Sequence, residues 1–403
     1  MINDSRKNDV RARIPRRADD DHTEDAAAER RAFLRTRTGA ELTHVARASI
    51  DPAATRGNIE NYIGAAQVPI GVAGPLRVRG EHIEDEDVYV PLATTEGTLV
   101  ASYSRGMRIL SEAGGVKTTI HERYMQRAPV FHFDGARGAR DFKAWLGANM
   151  AGVRAAAEAS SSVATLSHVE TYAIGPMLHV RFNFETGDAA GQNMAGKAAF
   201  AACEWIAAHH PGGARYTLSG AMDTDKKHSQ LNMLNSRGAR VIAEARIPDR
   251  VLRERVGTNA AELFRARLNS FAGSVLAGSA NNGMHAANAL AALFIACGQD
   301  AANVAESHAA ITYVRLEHDA ETGEPVYYWS ITLPALIVAT FGGGTGLPTQ
   351  SECLELLGCK GKGKVGRFIE ICAATVLAGE VSLAGAVVAG DWVESHEKLG
   401  RNR

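Results

Sequence analysis

The chain has 403 residues, with 44 Lys and Arg against 45 Asp and Glu and a formal net charge of −1. That length is enough for two or three domains or subdomains with a real core, and the balanced charge argues against an electrostatic nucleic-acid binder, whose footprint is basic. No run reaches the ~18–20 uninterrupted apolar residues that span a bilayer, and the N-terminus has no apolar signal region, so neither a membrane nor a nucleic-acid partner is expected.

Residues 1–25 are dense in Arg, Asp and Asn and read as a solvated, disordered tail. A short amphipathic helix is expected over about 26–42. Pro69, Gly71, Gly74 and Pro75 then punctuate β-branched residues in VPIGVAGPLRVRG, a strand-and-turn signature. A further strand runs into Thr94–Thr95, which is expected to cap a helix over about 96–111. Residues 128–217 read as a separate α+β unit. It has a helix in AWLGANMAGVRAAAEA, two strands broken at Gly175–Pro176, and a long helix in AAGQNMAGKAAFAACEWIAAHH. From 218 onward, Gly-rich turns alternate with Ala-rich helices.

Cys203, Cys297, Cys353, Cys359 and Cys372 form no CxxC pair and no zinc-spaced array. They read as buried free thiols of a reducing cytoplasm. The histidines include no HExxH, and no metal is expected.

Forty glycines exceed the usual ~7% share, and they mark places where chemistry could sit. In TTEGTLVAS, Glu96 falls at an expected helix start among small apolar residues. Burial there would raise its pKa and suit it to act as an acid; a carboxylate favoured by the helix dipole is equally compatible. In LSGAMDTDKKHS, paired lysines beside Asp223 and Asp225 could neutralise a substrate carboxylate and a developing oxyanion, or form an exposed charged turn. In TGDAAGQNM, Asp188 precedes a helix start lined by small residues, where an anion can meet free N–H groups. In TFGGGTG, three consecutive glycines make a backbone concavity suited to a phosphate or nucleotide. The literal GxGxxG of Gly361, Gly363 and Gly366 follows a helix-like segment rather than a strand, so it reads as a solvated loop rather than a dinucleotide fingerprint.

Seven stretches in order (ENYIGAAQVPIGVAGPL, PLATTEGTLVAS, GDAAGQNM, SGAMDTDKK, HAANALAALFIACGQD, FGGGTGLPTQ and LAGEVSLAGAVVAGDWVESH) resemble the catalytic domain of 3-hydroxy-3-methylglutaryl-CoA (HMG-CoA) reductase, of the type found in eukaryotes and many archaea. The resemblance implies an α+β fold. A tail and small helical segment (1–49) would precede a large substrate- and CoA-binding domain (50–127 and 218–403), with a ferredoxin-like NAD(P)-binding domain inserted at 128–217. It implies reduction of HMG-CoA to mevalonate and CoA by two hydride transfers, in a homodimer or homotetramer with active sites between subunits.

By matching position, the resemblance makes Glu96, Lys226, Asp300 and His396 catalytic. It assigns Arg127, Ser219, Asp225, Lys227, Asn288, Arg105, Ser102 and His285 to the acyl-CoA substrate. It assigns Asp188, Ala189, Gly191, Asn193, Gly342, Gly343, Gly344 and Arg401 to the nicotinamide cofactor. Three departures stand out. Asn269 replaces a family lysine, Ala221 replaces an asparagine, and the family arginine that reads the NADP phosphate is replaced near Ser160–Val163. The pocket thus loses a positive charge, and NADPH and NADH both remain open. Two alternatives follow: a related reductase acting on another acyl thioester, or a non-catalytic CoA- or nucleotide-binding homologue.

Overall fold

A computed structural model describes residues 13–279 and 281–390 of the chain. Helix α1 (Glu24–Thr38) begins where the Thr23 hydroxyl accepts the Ala26 N–H and ends at Gly39, whose φ of 75° suits a glycine. Arg30 anchors it: the buried guanidinium donates to the carbonyls of Pro15, Asp21 and Tyr62.

Strands β1 (Ile70–Arg79) and β2 (Glu86–Ala93) pair antiparallel from Ile70↔Ala93 to Val78↔Glu86. Helix α2 (Leu99–Glu112) follows. It starts later than the sequence implied, and the capping expectation fails. Thr94 Oγ1 accepts the Glu96 N–H at 3.0 Å, closing a local turn that competes with helix, and Thr98 at φ 69° separates that turn from α2.

Strand β3 (Val116–Arg127) is shared by two halves of the sheet. Its Lys117–Tyr124 stretch pairs with β8 (Gly238–Pro248), while Met125–Arg127 pairs with β6 (Met177–Glu185). Between them run β4 (Val130–His132), α3 (Ala136–Ala148), α4 (Met150–Glu158) and β5 (Thr165–Ile174), then α5 (Gln192–His209) and β7 (Arg215–Thr217) after β6. The helix expected across 144–159 is two, because Asn149 turns its side chain onto the Trp145 carbonyl at 2.8 Å and breaks the run. Strands here lie in the order β7-β4-β6-β5, all antiparallel.

The rest comprises α6 (Gln230–Asn235), α7 (Asp249–Val256), α8 (Ala260–Leu276), α9 (Ala286–Ala296), α10 (Val304–Ser307), β9 (Ile311–His318), β10 (Pro325–Leu336), α11 (Pro348–Leu356) and α12 (Val365–Ala389). Two hydrophobic cores result. One packs β1–β3 and β8–β10 against α2, α9 and α12; the other packs β4–β6 against α3, α4 and α5.

Helix α12 has 25 residues and contains an 18-residue window of mean hydropathy 1.9, long and apolar enough to cross a membrane, but 78% of that window is buried inside the protein. It also carries two buried glutamates that serve loops. Glu370 accepts the N–H groups of Glu81 and His82, and Glu380 those of Met284 and His285. A core helix can do this; in lipid such carboxylates would be costly.

The crossing of α2 over α12 depends on Gly106. A Cβ there would lie 1.8 Å from the Ala378 carbonyl oxygen, so the two backbones touch. Gly106→Ala is therefore expected to destabilise the protein by roughly 2 kcal/mol or more, through overpacking. On the exposed face of α3, Gly147 has no atom within 4 Å of that position, and Gly147→Ala should gain about 0.5–1 kcal/mol. Chemical denaturation of both variants tests the contrast; equal effects would remove the crossing as its cause.

Candidate active site

The loop from Leu218 to Ser229, between β7 and α6, carries three non-glycine residues at positive φ: Ala221 (66°), Thr224 (53°) and Lys226 (55°). Each such conformation costs on the order of 1–3 kcal/mol unless its surroundings impose it. Here they do. Thr224 Oγ1 bonds the buried Asn232 side chain, whose Nδ2 donates to the Lys227 carbonyl at 3.3 Å. Asp225 Oδ1 accepts from Arg237 Nη2 at 2.7 Å and from Gln192 Nε2 at 3.1 Å. Arg237 is itself buried and also donates to Glu306 at 3.3 Å and to the Gln126 carbonyl.

Held this way, the loop brings Lys226 Nζ to 2.7 Å from Asp300 Oδ2. Asp300 is fixed in turn, because its other oxygen accepts the Ala302 N–H at 3.0 Å and caps the short turn 301–303. The hydrogen bond to Asp300 pushes the Lys226 ammonium above its ordinary pKa, so the lysine is a stable cation at neutral pH. Lys227 donates to the Asp225 carbonyl at 3.0 Å. Arg127, the last residue of β3, donates from Nη1 to Asp223 at 2.9 Å, and Ser219 Oγ donates to both oxygens of that carboxylate. Ala221 and Asn269 are both exposed.

Glu96 lies on the loop before α2 and is exposed, so the buried setting expected for it is absent. Its displacement from the helix by the Thr94 turn is the cause. Asn288 Nδ2 donates to its carboxylate at 3.3 Å and lies 3.5 Å from His285 Nε2. The His285 ring stacks on Tyr103 with centroids 5.0 Å apart, and the Tyr103 hydroxyl donates to the His285 carbonyl. Among the described residues, no ion pair joins the Glu96 group to the Lys226–Asp300 pair.

Beside that pair opens a cleft of about 550 Å³ lined by Ala189, Gly191, Asn193, Gly342–Gly344 and Asp300. Gly191 begins α5 at φ 86°, where a Cβ would sit 2.3 Å from Thr186. Gly298 and Gly344 pack backbone to backbone, with a Cβ on Gly298 meeting the Gly344 carbonyl oxygen at 2.3 Å. These close contacts leave no room for a Cβ at Gly191 or Gly298.

Asp188 departs from expectation. Gly191, not Asp188, caps α5. The Asp188 carboxylate instead accepts the N–H groups of Gly363 (2.8 Å) and Val365 (3.3 Å) at the start of α12. The GxGxxG segment is therefore more than a solvated loop. Its first part is exposed, but Gly366 is buried against the His82 ring. Arg105 and Ser102 both bond Ser382 of α12, and Arg105 lines a separate groove with Arg108 and Arg255. His396 and Arg401 lie outside the described residues. No group of three or more His, Cys, Asp or Glu among the described residues is placed to hold a metal ion.

Sequence reasoning missed Gln192, Arg237, Asn303 and Glu306, the polar layer beneath the lysine loop. Gln192 was the visible signal: a polar residue opening an Ala-rich helix, bonded here to both Asp225 and Asn303.

Burial holds the His285 imidazole at a pKa of about 4, against 6.5 ordinarily. Between those values the unfolded chain binds the extra proton, so the stabilising term is fully present above pH 6.5 and is lost as the pH falls to 4. The loss should approach about 3 kcal/mol. Urea denaturation at stepped pH should show this slope in the parent protein and a shallower one in His285→Gln. Parallel profiles would refute the assignment.

A family model described as hydroxymethylglutaryl-coenzyme A reductase matches residues 26–401. The 3-hydroxy-3-methylglutaryl-coenzyme A reductase of Methanocaldococcus jannaschii is 38% identical over 379 residues, covering 92% of each chain. That of Pyrococcus horikoshii is 41% identical over 382 residues, covering 92% of this chain and 91% of the other. In solved structures, the Streptococcus pneumoniae reductase superposes with a TM-score of 0.65 at 20% identity, over 89% of this chain and 96% of that one, which shows the fold. With a match over most of its length and relatives near 40% identity across nine-tenths of it, the chain belongs to the hydroxymethylglutaryl-coenzyme A reductase family.

Proposed function

We propose that the chain reduces HMG-CoA to mevalonate and CoA, with Lys226 as its central cation. The observation that carries this is the Lys226–Asp300 pair on the rim of a glycine-lined cleft. The thioester passes through a hemithioacetal and an aldehyde to the alcohol. Each reduction puts negative charge on the carbonyl oxygen, and Lys226, kept protonated by Asp300, is the donor that stabilises it. Glu96, oriented by Asn288, is assigned to delivering the proton to the aldehyde oxygen on the family match. His396 is assigned to protonating the departing CoA thiolate, on the family match alone. Arg127, Ser219, Asp225 and Lys227 form the acyl side of the pocket, while Ser102, Arg105 and His285 form the CoA side.

A reduced nicotinamide, NADPH or NADH, supplies hydride when bound. The backbone without side chains at Gly191 and Gly342–Gly344, with Ala189 and Asn193, suits its close approach, since a side chain at Gly191 would collide with Thr186. Asp188 acts indirectly by tying that segment to the start of α12.

We read 128–217 as the inserted nucleotide domain. The β-α-α-β-β-α-β succession, in which α3 and α4 together make the first crossover, and the strand order β7-β4-β6-β5 support a ferredoxin-like layer. An assembly of two or four chains with shared active sites is supported by the exposed Leu268, Phe271, Val275 and Leu276 on α8. Five buried free cysteines support a reducing, cytoplasmic location.

Side-by-side assays of HMG-CoA reduction with NADPH and with NADH test the proposal. Lys226→Ala should lower kcat by roughly 100-fold or more. Absence of turnover with both cofactors would overturn the assignment. A second reading, a reductase of another acyl thioester, is favoured by Asn269 and Ala221; a substrate screen led by a thioester other than HMG-CoA would replace the first.

A further inference from the structure

We propose that Asp223 is a specificity-determining residue of the acyl pocket, an internal competitor for the guanidinium of Arg127. The inference rests on the reading of Arg127 as the group that meets the substrate's terminal carboxylate.

Arg127 stands where β3 ends and the chain turns into β4, with its backbone paired to Phe182 of β6. Its Nη1 is engaged by Asp223 at 2.9 Å. Asp223 is 3% exposed, and the Ser219 hydroxyl donates to both of its oxygens, at 3.1 and 3.3 Å. A carboxylate this deeply buried needs a cation beside it. Arg127 fills that place, so the pair is a built ion pair and not a chance surface contact.

The guanidinium has a second, geometric limit. Its Nε is buried with no hydrogen-bond partner among the described residues, and Nε and Nη2 face Gly196 of α5, within 4 Å of where a Cβ would be. The side-on fork is thus turned into the protein. The end-on fork, Nη1 with Nη2, is the one left for a carboxylate, and half of it is already occupied. Two-point recognition of a substrate carboxylate therefore requires displacing Asp223 or sharing Nη1 with it. A second carboxylate brought to the same guanidinium also meets the negative charge of the first. The arrangement discriminates against acyl groups ending in a carboxylate relative to uncharged ones.

The test compares binding of two thioesters to the full-length chain by calorimetry: HMG-CoA, and 3-hydroxy-3-methylbutyryl-CoA, which has a hydrogen where HMG-CoA has its carboxylate. Asp223→Asn keeps an oxygen for Arg127 and removes the charge. It should tighten HMG-CoA binding roughly tenfold, the scale of one charge-assisted hydrogen bond, and leave the carboxylate-free thioester unchanged. Arg127→Gln in the Asp223→Asn background should erase the gain. Asp223→Ser is the second variant, folded state being checked by circular dichroism. Equal affinity changes for both thioesters, or an HMG-CoA affinity that stays level or falls in both folded variants, would overturn the proposal. Failure of the parent chain to turn over HMG-CoA sinks the reductase reading instead, because the affinity ratio reports on Asp223 without catalysis.

Discussion

The buried guanidinium of Arg237 is the constraint on which the site's geometry depends. It sits where β8 begins and bonds three separate parts of the chain: Asp225 in the lysine loop, Glu306 in α10 and the Gln126 carbonyl in β3. A buried charge is tolerated only where partners surround it, and removing one partner typically costs about 3–5 kcal/mol. That penalty is what lets the loop hold three residues at positive φ. Burial pushes the Glu306 carboxyl above its ordinary pKa, while Arg237 and the Lys226 backbone N–H pull the other way. Lys226 is thus placed by charges beneath it that never reach the substrate.

Helix α12 does comparable work on the other side of the molecule. Its apolar faces fill the larger core, and its crossing with α2 at Gly106 brings Tyr103 against His285. Glu380 then accepts the Met284 and His285 N–H groups at 2.6 Å, fixing the start of α9. Asn288, one turn along, is thereby presented to Glu96. Glu370 repeats the device one end earlier, holding the hairpin between β1 and β2. One helix thus aligns two loops through a pair of carboxylates buried in hydrocarbon.

Much of what depended on local chemistry was legible in the sequence. The Gly175–Pro176 break, the α5 helix and the triple glycine at 342–344 all appeared where residue type and period placed them. The misreadings have two causes, one local and one not. Thr94 looked like a helix cap, yet a competing turn two residues long satisfied it first. Asp188 stands just before a helix start, yet the partners of its carboxylate lie 175 and 177 residues away. Glu380 and His285 are 95 residues apart, and Arg237 reads in sequence as one more arginine. Contacts between distant segments leave no periodic trace, so the polar layer under the loop was invisible while the residues above it were not.

The near-neutral composition acquires a structural meaning from these pairs. Lys226 has Asp300, Arg127 has Asp223, and Arg237 has Asp225 and Glu306. These three cations arrive with resident carboxylates, whereas the Lys227 ammonium bonds a backbone carbonyl, so at the paired cations an anionic acyl-CoA is not drawn to bare positive charge. It enters by exchange of partners. Exchange is easiest at Lys226–Asp300, where both groups are about 40% exposed and water screens the pair to a net worth of roughly 0–1 kcal/mol. It is hardest at Arg237, which no solvent reaches. Arg127 lies between these extremes, with one buried partner and one solvent-facing edge. The gradient of burial separates a cation free to meet a reacting oxygen from one that only holds the loop in shape.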